Sequence, residues 1–412
     1  MILLTSIHRC EIISCIITHH RAARSCLFAT ASSSASSSNM SLPQTKLRDT
    51  FERLRSNPKE VFLLDGGTGE ELFRRQVPDD RKIWSATALV HEQYHTILED
   101  VHTDFLESGS DAITTNSYGV CPGVGFDSDD ISKYIAIAGK IARRATQKSS
   151  GGTNKYVLGS LGPLVESYRP DKIMSHEDGV INYMRACSSL APHTDAFIAE
   201  TMSCVEESIQ VLDAVARSND DDIDKLTGQQ QCSLLISYTL DPNGNFRDGE
   251  EVLNGMRRLL EYAEKKRENV QCKIFTILNS NFLFTKCGYF GLLRSLLTFF
   301  YTVLAILFNC SEPEAISKAL EEVHSDSELL KILNDRSILL GAYANRLTQV
   351  VPNWILADSE APQPLRNDLD EKRYWEDFVK VWIDRLGVQI IGGCCGITPE
   401  HIRYIRAELD KR

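Results

Sequence analysis

The residues of this sequence best suited to chemistry are two adjacent cysteines set among glycines, in Val388-Gln389-Ile390-Ile391-Gly392-Gly393-Cys394-Cys395-Gly396-Ile397. An apolar, β-branched run enters the Gly-Gly pair. Beyond the second cysteine, Thr398-Pro399-Glu400 offers a cap residue and then Pro at the first helical position. Glycines let the backbone turn tightly, so both thiols can face one point. Adjacent cysteines do not readily pair with each other, but both can ligate one soft metal ion if a third ligand arrives from elsewhere. Cys310, closing the apolar run Ala305-Ile306-Leu307-Phe308-Asn309, is the expected third. Three thiolates with an open fourth position describe a catalytic zinc rather than a structural one.

Such a trio needs elements that bring distant residues to one place. From residue 61 onward, short apolar runs alternate with longer amphipathic stretches. The runs are 61–65, 111–116, 155–159, 196–201, 234–238, the one before Cys310, 337–344 and 388–391. Helical patterns lie between them, as at 131–146, 205–216 and 250–265. This repeat predicts an α/β chain folded as a (β/α)8 TIM-type barrel over residues 50–410. In such barrels chemistry sits where strands end, and Asp65, Asn116, Glu200, Cys310, Asn345 and Cys394 stand at those ends. A doubly wound open sheet is the competing architecture. The glycine-rich turn after Asp65 lacks the spacing of a dinucleotide fingerprint, which disfavours it.

One stretch interrupts the repeat. Ile274-Phe275-Thr276-Ile277-Leu278 reads as a sixth strand, yet Val303 to Phe308 reads as another, and only one can take the slot. Joining Leu278 to Phe308-Asn309-Cys310 would restore a repeat of ordinary length. A hydrophobic insertion over 279–307 is therefore expected before the sixth strand. The run 290–308 approaches membrane-span length but contains Arg294, so an insertion is favoured over an anchor.

The chain has 412 residues, 42% hydrophobic and 25% charged, which suits a globular enzyme with an ample core. A net charge of −11 without a basic stripe disfavours nucleic acid as a partner. Twelve scattered cysteines in a long chain read as reduced thiols rather than a disulfide framework. Residues 1–45 differ from the rest. Up to Met40 the only acid is Glu11, against Arg9, Arg21 and Arg24, and a Ser-Ala run follows from Ala29. That is either an organelle transit segment or an extension without function, so the expected location is cytoplasmic, or organellar if the segment targets.

Taken together, these motifs resemble the homocysteine S-methyltransferase family over most of residues 50–410. The resemblance rests on Leu64-Asp65-Gly66-Gly67-Thr68-Gly69-Glu70, Thr115-Asn116-Ser117-Tyr118, Ile198-Ala199-Glu200-Thr201, Phe308-Asn309-Cys310 and Gly392-Gly393-Cys394-Cys395-Gly396. The segment before Phe308 departs from the family pattern. The resemblance implies a (β/α)8 barrel and a Zn²⁺ ion held by Cys310, Cys394 and Cys395. It also implies that Asp65 and Glu200 help hold the homocysteine amino group, with Gly66 and Gly67 lining the amino-acid site. The implied partners are homocysteine and a small methyl donor, and the product is methionine.

S-Methylmethionine is the first expected donor and S-adenosylmethionine the second. Betaine ranks lower because the chain ends soon after the eighth helix. A folate- and cobalamin-dependent enzyme is disfavoured because no further domains follow. Selenocysteine methylation remains an alternative, as does a zinc-binding protein disabled by the insertion. Other residues have plainer roles. Cys121, Cys187, Cys204, Cys232, Cys272 and Cys287 read as small buried hydrophobes. Asp65 could simply cap a helix. Asn116, Tyr118 and Asn309 read as packing or supporting residues, and His91, His95 and His102 as a solvated helix face.

Overall fold

The computed structural model describes residues 43–80, 82–151, 154–220, 233–280, 302–348 and 364–412. Eight short strands follow one another along the chain: β1 (Phe62–Leu63), β2 (Ala112–Thr114), β3 (Tyr156–Leu161), β4 (Ala196–Met202), β5 (Ser233–Tyr238), β6 (Thr302–Asn309), β7 (Leu339–Tyr343) and β8 (Ile390–Ile391). All their pairings are parallel, in the order β1-β8-β7-β6-β5-β4-β3-β2. With the helices between them they form a nearly closed (β/α)8 barrel, as the alternating pattern predicts.

The period of two along each strand sorts the core into two sets. Phe62, Leu64, Leu158, Ile198, Leu235, Leu307 and Ile390 belong to the inner one. Leu63, Val157, Phe197, Ile236, Phe308 and Ile391 belong to the outer one, under the helices. The helices supply the matching apolar stripe. In α4 (Ser128–Lys148), Ile131, Ile135, Ala138, Ile141, Ala142 and Ala145 are buried, three or four residues apart. Its first turn is capped by Asp127, whose carboxylate accepts from the backbone N–H of Asp129 and Asp130.

Helix α1 (Pro43–Ser56) closes the N-terminal end of the barrel, packing Leu47, Phe51 and Leu54 into the inner core. The Gln389 side-chain amide, just ahead of β8, donates to the carbonyls of Leu54 (2.7 Å), Asn57 (3.2 Å) and Glu60 (3.2 Å). The Thr50 hydroxyl meets Tyr156 OH at 2.7 Å. The opposite, C-terminal mouth is thereby left as the one for chemistry.

The ring has one seam, between β1 and β2, where carboxylates replace a strand ladder. Asp111 N–H donates to Leu63 O (2.6 Å), and its carboxylate accepts Leu63 N–H (2.8 Å). Further along, Thr114 N–H donates to the Asp65 carboxylate (2.8 Å). Arg406, from α11 (Pro399–Leu409), pairs with Asp111 at 2.8 Å.

The sixth slot is filled by the second of its two candidates. β6 pairs Ile236 with Ile306 and Phe308 with Ala342, whereas 274–278 continue the helix α7 (Val252–Ser280). Residues 302–307 of the expected insertion are therefore part of β6 itself, while 281–301 lie outside the described residues, as do residues 1–42 with the transit-like segment. Among the described residues, no helix is long and apolar enough to cross a membrane.

Of the three histidines expected on a solvated face, His102 of α3 (His95–Glu107) departs from expectation. His91 is exposed and His95 places a ring nitrogen 3.0 Å from Leu89 O, but His102 is wholly buried, not solvated. Burial pushes the His102 imidazole down to about 4, so it is neutral at physiological pH. Cys121, Cys187 and Cys204 are buried, as a small hydrophobe would be. The side chains of Cys232, Cys272 and Cys287 lie outside the described set.

Candidate active site

The sulfur site is assembled from the ends of two strands. Asn309 and Cys310 close β6, and the loop 392–398 leaves β8. Tight backbone contacts fix that loop. Gly393 N–H donates to Asp65 O (2.9 Å), Cys394 N–H to Ala344 O (2.9 Å) and Gly67 N–H to Ile397 O (2.8 Å). Behind it, Tyr374 OH donates to Gly392 O at 2.8 Å. Glycines are needed where this loop meets the β1 turn. A Cβ on Gly66 would lie 2.3 Å from Ile397 O, and one on Gly67 would lie 2.8 Å from Cys394 O. Both glycines line the cavity, so their bareness serves packing as well as access.

The three Sγ atoms of Cys310, Cys394 and Cys395 lie within 4.8 Å of one another. None is in a disulfide. Tetrahedral Zn–S bonds of about 2.3 Å place sulfurs about 3.8 Å apart, so this spacing suits a single ion after small adjustments. The charge balance agrees. Hydrogen bonds from Cys394 and Cys395, in that order, hold the Cys310 thiol well below its ordinary pKa. The same bonds to Cys310 push the other two thiols well up. Protein atoms alone thus shift the three thiols in opposite directions. A cation is what allows all three to ionise. These residues fit a thiophilic metal.

Strained backbone accompanies the trio. Cys310 has φ +48° and Thr201, just past Glu200 on β4, has φ +62°, both left-handed values uncommon for such residues. The buried Asn309 amide secures the pair. Its Oδ1 accepts from Thr201 N–H (3.0 Å) and Ser237 Oγ (2.7 Å), and its Nδ2 donates to Thr201 Oγ1 (2.9 Å). Asn309 is therefore a supporting residue, as its sequence position suggests.

Above the sulfurs lies a cavity of about 390 Å³, lined by Asp65, Gly66, Gly67, Glu200 and all three cysteines. That is ample for a small amino acid. Glu200 accepts from Ser160 Oγ (2.5 Å) and Tyr343 OH (3.1 Å). Burial pushes its carboxyl up to about 7, with the neighbouring Cys310 adding to the rise. Asp65 is raised well above the carboxylate range, first by burial, although Thr114 N–H opposes this. Trp84 and Tyr118 wall the cavity edge to face, with centroids 6.3 Å apart. Asn116 lines it too, while its side-chain amide is spent on Ser85 O (2.9 Å).

Sequence reasoning singled out neither Tyr168 nor Tyr343. Tyr343 stands inside the expected seventh strand, two residues before Asn345, so an inward, end-of-strand position was legible. Tyr168 lies in the irregular stretch after β3, where no periodicity points inward. It places its hydroxyl 2.9 Å from Cys310 Sγ.

The comparisons with known proteins bear on the family and the fold. The chain is 22% identical over 378 residues to homocysteine S-methyltransferase 2 of Saccharomyces cerevisiae, covering 87% of this chain and 97% of the relative. It is 22% identical over 365 residues to homocysteine S-methyltransferase of Escherichia coli, with 85% and 95% covered. A selenocysteine Se-methyltransferase of Brassica oleracea var. italica is 22% identical over 389 residues, with 88% and 94% covered. The crystal structure of the homocysteine methyltransferase MmuM from Escherichia coli, in its metallated form, shares the fold. Its TM-score is 0.57 at 20% identity, covering 88% of this chain and 99% of that one. The model of the homocysteine S-methyltransferase family matches residues 62–278 and 290–409. A match over so much of the barrel, including the strands that carry all three cysteines, means that this chain belongs to the homocysteine S-methyltransferase family.

Proposed function

We propose that this chain transfers a methyl group from a sulfonium donor to homocysteine, at Zn²⁺ held by Cys310, Cys394 and Cys395. The observation that carries the reading is the meeting of three thiols, Cys310 buried and Cys394 and Cys395 half-buried, from the ends of β6 and β8, on one point of a ligand-sized cavity. Zn²⁺ there would lower the pKa of an incoming thiol, ordinarily about 8.5, so that homocysteine presents an anionic sulfur at neutral pH.

The chain's own residues do the rest. Asp65 and Glu200 face the cavity and receive the substrate ammonium, which in turn favours their ionised forms. Gly66 and Gly67 keep the amino-acid end close to the sulfur turn. The Trp84 and Tyr118 rings offer π-faces to a cationic donor. The homocysteine sulfur attacks the donor's methyl carbon in line. A new C–S bond forms, the old C–S⁺ bond breaks, and its electron pair leaves with a neutral thioether. The thiol proton has already passed to solvent, so no dedicated base is required.

Relatives named for homocysteine and for selenocysteine support the acceptor class, and one from Drosophila melanogaster is named for betaine. The test is a donor panel of S-methylmethionine, S-adenosylmethionine and betaine with homocysteine, alongside zinc analysis of the purified chain. The expected result is one zinc per chain and methionine formed from a sulfonium donor, both lost in Cys394→Ala. Full zinc occupancy without transfer from any donor would overturn it.

A further inference from the structure

Tyr168 is held where a merely packed ring has no need to be. It reaches the site on a backbone with φ +64°, a left-handed conformation that is strained in a residue of this kind. Its hydroxyl lies 2.9 Å from Cys310 Sγ. On the other side, the Arg247 guanidinium sits over the Tyr168 ring, 4.9 Å from its centroid. Arg247 is fixed through its backbone, its N–H donating to Ser203 O at 3.1 Å. Its Nε–H is buried without a hydrogen-bond partner among the described residues. A buried guanidinium with an unsatisfied donor is costly, and the stacked ring is what it faces instead.

We propose that Tyr168 is a positioning residue of the sulfur site: its hydroxyl donates to Cys310 Sγ, aims that ligand and draws charge from it, while Arg247 braces the ring. The inference rests on the reading of Cys310, Cys394 and Cys395 as metal ligands. The chemistry asks for such a donor. Three protein thiolates plus a substrate thiolate make a dianionic set around a divalent ion, with no charge-neutralising side chain among the ligands themselves. A hydrogen bond to one sulfur spreads that charge and fixes a lone-pair direction. Tyrosine suits the task, because at neutral pH its hydroxyl keeps its proton and can donate to a sulfur anion. A donor on Cys310, rather than on the glycine-flexed pair, steadies the ligand already held at φ +48°.

The experiment compares the full chain with Tyr168→Phe and Arg247→Gln, each titrated with Co²⁺. Tyr168→Phe keeps the ring and removes only the hydroxyl. It is expected to move the sulfur-to-cobalt charge-transfer band to longer wavelength, because the unbonded sulfur holds its electrons less tightly. Co²⁺ affinity, read by chelator competition, should fall about 10–100-fold. The KM for homocysteine should rise while that for the methyl donor stays put. Arg247→Gln retains the hydroxyl and should show smaller changes in the same directions. An unmoved band and unchanged affinity in both variants would overturn the role of Tyr168 and leave the three-cysteine site standing. No sulfur-to-cobalt band in the unaltered chain would overturn both.

Discussion

Burial raises several carboxyls of this protein above their ordinary range, and the pH dependence of stability should follow them. Glu207, at the start of α6 (Val205–Asp220), is 4% exposed and, among the described residues, accepts only the Ser203 N–H (2.9 Å). Burial raises it from 4.5 to about 7. The sign follows from linkage. A carboxyl raised in the folded state favours folding fully below its unfolded pKa, near 4.5, and that contribution is lost as pH rises through about 7. Glu207→Gln keeps the shape and the acceptor but cannot ionise. Measured against the unaltered chain in urea at pH 4.5 and pH 8, the variant should gain relative stability at the higher pH, by up to about 3 kcal/mol. An equal difference at both values would refute the assignment.

At the scale of elements, the site depends on two turns pressed together, the one after β1 and the one after β8. Gly67→Ala would set a methyl 2.8 Å from Cys394 O and 3.1 Å from Cys395 Cα, and backbone cannot rotate away as a side chain could. The variant should lose about 1–3 kcal/mol in urea unfolding. Its Co²⁺ binding should weaken as well, because the displaced turn carries two of the proposed ligands. Normal Co²⁺ binding would show that the turns yield independently. The glycines and cysteines of these turns were legible in the sequence, since chemistry and tight turning both leave marks in composition. The strands were legible too, through apolar runs ending in polar residues. What could not be read was contact between side chains on different elements. Asn309 looked like a supporting residue, but its grip on Thr201 across 108 positions depends on the barrel having closed. Tyr168 left no pattern at all. His102 kept a helical spacing that an exposed face would share, and only the packing of α3 distinguishes the two. The sixth strand was ambiguous because two apolar runs compete for one slot and local pattern cannot arbitrate. Pairing with β5 and β7 decides it in favour of Thr302–Asn309.

For the whole molecule, the informative boundary lies between the first 42 residues and α1. A chain begun at Met40 retains Leu47, Phe51 and Leu54, which seal the N-terminal end of the barrel. One begun at Glu60 loses them, along with two of the three carbonyls that Gln389 caps. The first truncation should melt within a few degrees of the full chain. The second should be strongly destabilised, because removing a single large core side chain already costs about 3–5 kcal/mol. Thermal unfolding of the two followed by circular dichroism separates these outcomes, and equal melting would mean that α1 is dispensable.

The carboxylate seam between β1 and β2 bears on how any mutagenesis of this enzyme is interpreted. Asp65 lines the cavity and at the same time takes an amide hydrogen from the neighbouring strand, so position 65 joins the proposed ligand role to an architectural one. An inactive variant there reports two losses at once. Among the described residues Glu200 accepts from side-chain hydroxyls alone, so replacing it can test the proposed role in substrate recognition without unstitching the ring.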